Sequence, residues 1–289
     1  MQQKTELISF YQWITKRSNL DLFTCSSWLQ KSIRRGLLED SLNYTKELIE
    51  SNQLNYLWKR IFVIMIEDIW LANLHLTKII NKLYKNYLKS ETDTLFEEKF
   101  IYQAIVLLVI SPKSRENDNF YHYIKTFKKG TEEELSFFNK FCSPYFYEKN
   151  NKKINQELKE SLDLFFKNQI NKDLLDICIE NILILKNLNG KSELNLHFIN
   201  LFLVLKYNIQ IDFSLNWIEE NKNLIPEKLN LATLPKINPK DYVYDKHTKI
   251  WKEKGRDDNH FFKEGCLLNN EVKVGENIYS DFIKENIKK

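Results

Sequence analysis

Residues 21–36 read Asp-Leu-Phe-Thr-Cys-Ser-Ser-Trp-Leu-Gln-Lys-Ser-Ile-Arg-Arg-Gly. From Asp21 to Arg35 the pattern is helical. Gly36 stops it, because glycine enters the left-handed region without a Cβ penalty. The same grammar continues downstream. Leu38, Leu42, Thr45, Leu48 and Ile49 mark one face of a second helix. Leu54 to Trp70 reads as a third, with Leu57, Ile61, Ile64 and Met65 turned inward, and Leu74 to Leu88 as a fourth. Thr94-Leu95-Phe96-Glu97 has capping-box spacing and opens a helix that runs through Gln103 and ends before Pro112. Thr131-Glu132-Glu133-Glu134 repeats that signal after Gly130. Further helical runs cover Ile154 to Phe166, Leu174 to Leu188, Glu193 to Tyr207 and Ser214 to Asn221, and a last one covers Ile278 to Ile287. Neither a strand-rich block nor a repeat of fixed period is present, so the expected fold class is all-α with an irregular C-terminal extension.

Composition agrees with a helical globular chain. Of 289 residues, 43% are hydrophobic and 13% aromatic, too many for a disordered chain. Six Gly and five Pro are few breakers for this length. A net charge of +4 does not by itself identify a nucleic-acid binder, which needs a strong basic excess or a local patch. Cys25, Cys142, Cys178 and Cys266 are far apart, and with no secretory signal at the N-terminus reduced thiols in the cytoplasm are expected. The apolar runs Ile61 to Ile66 and Phe198 to Leu205 are far shorter than the roughly 20 residues a membrane helix needs. Four regions follow: a helical N-terminal segment (1–20), a helical module (21–125), a second helical region (126–225), and a proline-containing connector with a tail (226–289). Pro226, Pro235 and Pro239 mark the last boundary.

Five segments together resemble the C-terminal region of a known family. They are Trp28 to Gly36 (WLQKSIRRG), Leu57-Trp58-Lys59-Arg60-Ile61, Ile66-Glu67-Asp68-Ile69-Trp70-Leu71-Ala72, Gln103-Ala104-Ile105-Val106, and Ile110-Ser111-Pro112-Lys113-Ser114. In this order and spacing they resemble the RarA/MgsA/Werner-helicase-interacting family of AAA+ ATPases, of the clamp-loader clade. In that family the helical region follows the ATPase domain and builds the oligomer. The resemblance therefore implies a collar-like assembly module without its ATPase domain. Trp70 stands where the family has a glycine, and Ala72-Asn73-Leu74 where it has Ala-Asp-Pro, so this turn is expected to pack differently.

Several constellations carry chemistry in principle. Gly190-Lys191-Ser192 invites a phosphate-loop reading, but Leu185 stands where the wrap needs glycine. A helix stop at Gly190 and an N-cap at Ser192 explain the tripeptide better, and no nucleotide hydrolysis or cofactor is expected. Lys31, Arg34 and Arg35 form a basic turn at a helix C-terminus, where cations suit the dipole. With Lys113, at an expected exposed helix end, they are the candidate DNA phosphate contacts. Glu67-Asp68 is expected to cap or salt-bridge neighbouring helices rather than act as an acid/base pair. In the tail, Asp245, His247, Thr248, Gly255, Arg256, His260, Phe261 and Gly265 form a cluster with two readings. In the first it docks the tail on the helical body or on a partner, with Phe261 and Phe262 as apolar anchors. In the second, Asp245, His247 and His260 serve a metal-dependent nuclease-like reaction, although their spacing fits no standard zinc module.

The function expected from these readings is a non-catalytic replication or repair accessory protein. It would act as a homo-oligomer or with an AAA+ clamp-loader-type ATPase, alongside DNA and a sliding clamp, in the cytoplasm (the host's, for a phage or similarly compact replicon). A plain helical DNA-binding protein and the nuclease-like enzyme are the alternatives.

Overall fold

The computed structural model describes residues 14–90, 94–142, 160, 164, 171–188, 194–210, 216–226, 229, 231, 234, 240–244, 248, 251 and 253–287. The fold is all-α. Among the described residues the only β features are two isolated bridges, Ile14 with Asp21 and Lys113 with Glu271. The helices are α1 (Leu22–Arg34), α2 (Leu38–Glu50), α3 (Leu54–Ile64), α4 (Leu74–Lys89), α5 (Thr94–Ile110), α6 (Glu116–Lys125), α7 (Glu132–Phe141), α8 (Lys172–Asn187), α9 (Leu194–Lys206), the single turn α10 (Trp217–Glu220) and α11 (Ile278–Ile287). None is long and apolar enough to cross a membrane. The expected helix over 154–166, the Gly190-Lys191-Ser192 tripeptide, the side chains of the Thr94 capping box and most of the connector lie outside the described residues.

The chain divides into two compact units that interleave in sequence. One comprises Met1–Ile64, Ile79–Lys113 and Asn216–Glu271; the other comprises Met65–Lys78, Ser114–Leu215 and Val272–Lys289. In the first unit, α1 packs on α2, and both pack on α5. Leu29, Ile33, Tyr44, Leu48, Trp58 and Ile61 are buried there. Asp21 starts α1 by accepting from the backbone N–H of Phe23 at 2.7 Å. Gly36, at φ 68°, ends it: its N–H donates to Ile33 and that of Leu37 to Ser32, the paired bonds of a Schellman stop. Residues 14–20, expected to be helical, form a turn instead. Asn19 sits at φ 54°, and the Thr15 N–H and Oγ1 both bond Leu20 across the turn.

The third expected helix also differs. It is α-helical only to Ile64, then widens into a π-turn over Met65–Ile69. There the Trp70 N–H reaches back five residues to the Met65 carbonyl at 2.8 Å. That leaves the Ile66 carbonyl without its α-helical donor. The side-chain amides of Asn117 (2.7 Å) and Asn200 (3.2 Å) supply two replacements. The π-turn thus ties together α6 and α9 of the second unit, and three-residue periodicity in a sequence carries no sign of it.

The rest of the second unit is an aromatic core. Phe137 stacks on Phe202 at 4.4 Å between centroids, and Phe120 meets the edge of Tyr279 at 4.8 Å. The fully buried Glu116 caps α11 from another helix. Its carboxylate accepts from the Tyr279 and Ser280 backbone N–H groups (3.0 and 2.9 Å), the Ser280 hydroxyl (2.5 Å) and the Tyr207 hydroxyl (2.7 Å). These are the unpaired donors and the positive end of a helix N-terminus.

Tyr207 also closes on Gly275. A Cβ there would lie 2.1 Å from the ring, and φ is 58°. At Gly36 an added Cβ would meet only the end of the exposed Asn269 side chain, at 2.9 Å. Gly275→Ala is therefore expected to lower stability by about 2–4 kcal/mol in chemical denaturation, combining backbone strain with overpacking, and Gly36→Ala by only about 1 kcal/mol.

Candidate functional site

The basic turn of α1 faces inward. Lys31 is buried, and its Nζ donates to Ser27 Oγ at 2.8 Å and to the Val243 carbonyl at 2.5 Å. Arg34, also buried, donates from Nη1 to the Gly265 carbonyl at 2.9 Å, while its own carbonyl accepts from the Asn269 N–H at 2.8 Å. Arg35 lies over the Tyr242 ring at 4.2 Å and donates to the Glu264 carbonyl at 2.5 Å. Burial lowers its pKa, opposed by the charges of Tyr242 and Glu264. Lys113 is buried as well. Its Nζ donates to the Val109 and Ser111 carbonyls, both at 2.8 Å, and its N–H donates to Asn270 at 3.0 Å. The expected phosphate surface at Lys31, Arg34, Arg35 and Lys113 is thereby corrected. Pro112 ends α5 and turns Lys113 back over the last carbonyls of that helix, and the α1 cations are enclosed by the C-terminal segment.

The structure thus joins two sets of residues that sequence reasoning kept apart. Gly265, buried in a second π-turn (Phe261–Gly265), presents its carbonyl to Arg34, and Phe261 beside it is buried. Arg256 closes the tail on itself, donating to the Asp241 carbonyl at 2.6 Å and to the Tyr244 carbonyl, and pairing with the Asp241 carboxylate. Lys254 and Arg256 together hold Asp241 below the usual carboxylate range. Thr248 is buried, while Gly255 is exposed, and a Cβ added there would meet nothing within 4 Å. His260 sits at the end of a turn capped by Asp257, and its Nε2 finds no hydrogen-bond partner among the described residues. Asp245 and His247 lie outside the described residues. Within those described, no group of three His, Cys, Asp or Glu could hold a metal ion.

Tyr242 is the residue that sequence reading passed over. Its hydroxyl accepts from Trp28 Nε1 at 3.1 Å, lies 3.4 Å from Ser32 Oγ, and donates to Asp40 at 3.2 Å. Only its position among polar residues in the tail could have drawn attention to it. In the second unit, Asp68 and Glu67 take the salt-bridging role expected of them. Arg115 Nη1 reaches Asp68 at 2.8 Å and Glu67 at 2.9 Å, and its Nη2 pairs with Asp118.

Two further features concern binding and protonation. In the first unit a half-open cavity of 610 Å³ lies among α4, α5 and the segment after α10. Its walls are mostly aliphatic (Ile79, Leu83, Val106, Leu107, Ile218, Leu231), and Glu98, Lys99, Tyr102 and Gln103 of α5 add polar groups. Such a space is of the size that accepts a small apolar molecule or a partner's side chains. Burial, reinforced by Glu50, raises the Glu98 carboxyl above its ordinary range. In the second unit, His197 on α9 is fully buried, and neither ring nitrogen has a hydrogen-bond partner among the described residues.

No family model matches the chain, and neither does a curated protein or a solved structure.

Arg34→Met leaves the buried Gly265 carbonyl without this donor. The expected result is a loss of about 1–3 kcal/mol in urea unfolding, with earlier proteolytic cleavage between residues 240 and 270. His197 supplies a pH test. Its folded pKa is lowered by burial to about 3 from an ordinary 6.5. Above pH 6.5 the ring is neutral in both states; as pH falls below that, only the unfolded chain takes up the proton, and stability is lost down to about pH 3. His197→Leu should remove up to about 1.4 kcal/mol per pH unit from the acid slope of unfolding free energy in that window, read from denaturation curves at stepped pH.

Proposed function

We propose that the chain is a non-catalytic helical assembly subunit for DNA replication or repair, resembling the collar region of clamp-loader-clade ATPases. It assembles with itself or with an AAA+ partner of that clade, and the partner supplies any ATP hydrolysis. The observation that carries this reading is the use made of the signature polar residues. Lys31, Arg34, Asp68 and Lys113 are all buried and bonded to groups of their own unit. A signature of that kind encodes a scaffold rather than a reaction centre. Cytoplasm, or the host's cytoplasm for a phage-type source, is the compartment that suits this role, with DNA and a sliding clamp as further members of the assembly.

A second reading is a metal-dependent nuclease-like enzyme built on Asp245, His247 and His260. The Nε2 of His260, which has no hydrogen-bond partner among the described residues, favours it. Metal analysis of the purified protein separates the two: stoichiometric zinc, manganese or magnesium, lost in His260→Ala, would establish the second reading.

Light scattering of the protein, alone and mixed with the clamp-loader-type ATPases and the sliding clamp of its own genome, tests the first reading. A closed oligomer or a stable mixed complex is expected. A monomer that ignores all of them refutes the assembly role.

A further inference from the structure

With the α1 cations and Lys113 turned inward, exposed positive charge in the first unit has to be sought elsewhere, and α4 carries a run of it. This helix reads LHLTKIINKLYKNYLK and contains four lysines and no aspartate or glutamate. Across the whole chain 43 basic residues face 39 acidic ones, so a helix with no acid of its own departs from the composition. Lys82, Lys85 and Lys89, in the part of the helix that belongs to the first unit, are exposed. At 100° per residue the three fall within an arc of about 60°, and at 1.5 Å per residue they run in a line of about 10 Å. Ile80 and Tyr84 are buried on the other side of the helix.

We propose that this lysine line is a docking surface for the phosphate backbone of a nucleic-acid duplex. Its length covers about three nucleotide steps at 3.4 Å per strand. Lysines are point charges suited to phosphates, whereas base edges are read mainly by forked or amide side chains, so binding through this face is independent of sequence. An anionic membrane is the other polyanion to weigh. Binding in the plane of a bilayer needs an exposed apolar face beside the charges. The apolar side of α4 packs into the protein core or, at Ile79 and Leu83, lines the recessed cavity, and on this helix only Leu88, half exposed, stands out as an exposed large apolar side chain. Nor does the face offer a stacking platform for unpaired bases: Tyr84 is buried, and Tyr87 packs against Trp58 at 5.3 Å. The surface belongs to the chain itself and does not depend on the assembly reading.

Fluorescence anisotropy with a labelled 20-base-pair duplex of arbitrary sequence, titrated at several salt concentrations, tests it. The variant Lys82→Gln/Lys85→Gln/Lys89→Gln is compared with Lys125→Gln/Lys128→Gln/Lys129→Gln, which removes equal charge from other exposed positions. The α4 variant should bind at least tenfold more weakly, and its slope of log affinity against log salt should be shallower by about 0.9 per lysine. The control should match the wild type, and thermal unfolding should be unchanged in both, since all six side chains are exposed. The proposal is overturned by no duplex binding of the wild type at low salt, by equal losses in the two variants, or by binding to phosphatidylserine vesicles in place of the duplex. Solution mass is read separately, so a monomer that still binds duplex through α4 would refute the assembly role and leave this surface standing.

Discussion

Lys31 and Arg34 have lost their water, and the form of the first unit follows from what replaces it. A buried cation is tolerated only where acceptors surround it. Val243 and Gly265 provide them as backbone carbonyls, more than two hundred residues away in sequence. Those carbonyls are themselves freed by local irregularity: one ends a short 3-10 turn and the other closes a π-turn. The irregular C-terminal segment is thus the chemical complement of α1, because regular helix would have used the same carbonyls internally. Tyr242 adds an aromatic face for Arg35 and a hydroxyl for Trp28 and Asp40, so the contact is specific in geometry as well as in charge.

The second unit uses the same device in a different place. A π-turn after α3 releases the Ile66 carbonyl, and two asparagine amides converge on it. Glu116 does the converse, offering acceptors to the donors of a helix start. In each unit, then, an unsatisfied backbone group at a helix irregularity is met by a buried polar side chain from far along the chain. This explains why so many polar residues of these segments are buried.

Helices with local signals were legible. Thr131-Glu132-Glu133-Glu134 forms its capping box, with both reciprocal bonds present. Gly36 ends α1, and the last helix runs over Ile278–Ile287 as its pattern indicates. Each depends on residues within one or two turns. Widening to π at Met65 was not legible, because it is stabilised by Asn117 and Asn200 rather than by neighbours in sequence. Burial of Lys113 was hidden for a related reason: a lysine after Pro112 reads as an exposed helix end until the course of the chain beyond it is known. The α4 lysines, by contrast, have spacings that already place them on one helical face. What the sequence lacked was knowledge of which side of the helix the core would take.

By itself the sequence determined the all-α class, most helix boundaries and the inventory of charged and aromatic groups, since periodicity, caps and breakers act over a few residues. Tertiary structure alone decided which cations are spent inside and which face outward, which carbonyls are released by π-turns, and how segments remote in sequence interleave into two units. Those outcomes depend on desolvation and on long-range hydrogen-bond partners, and a side chain's partner hundreds of residues away leaves no mark on its local pattern.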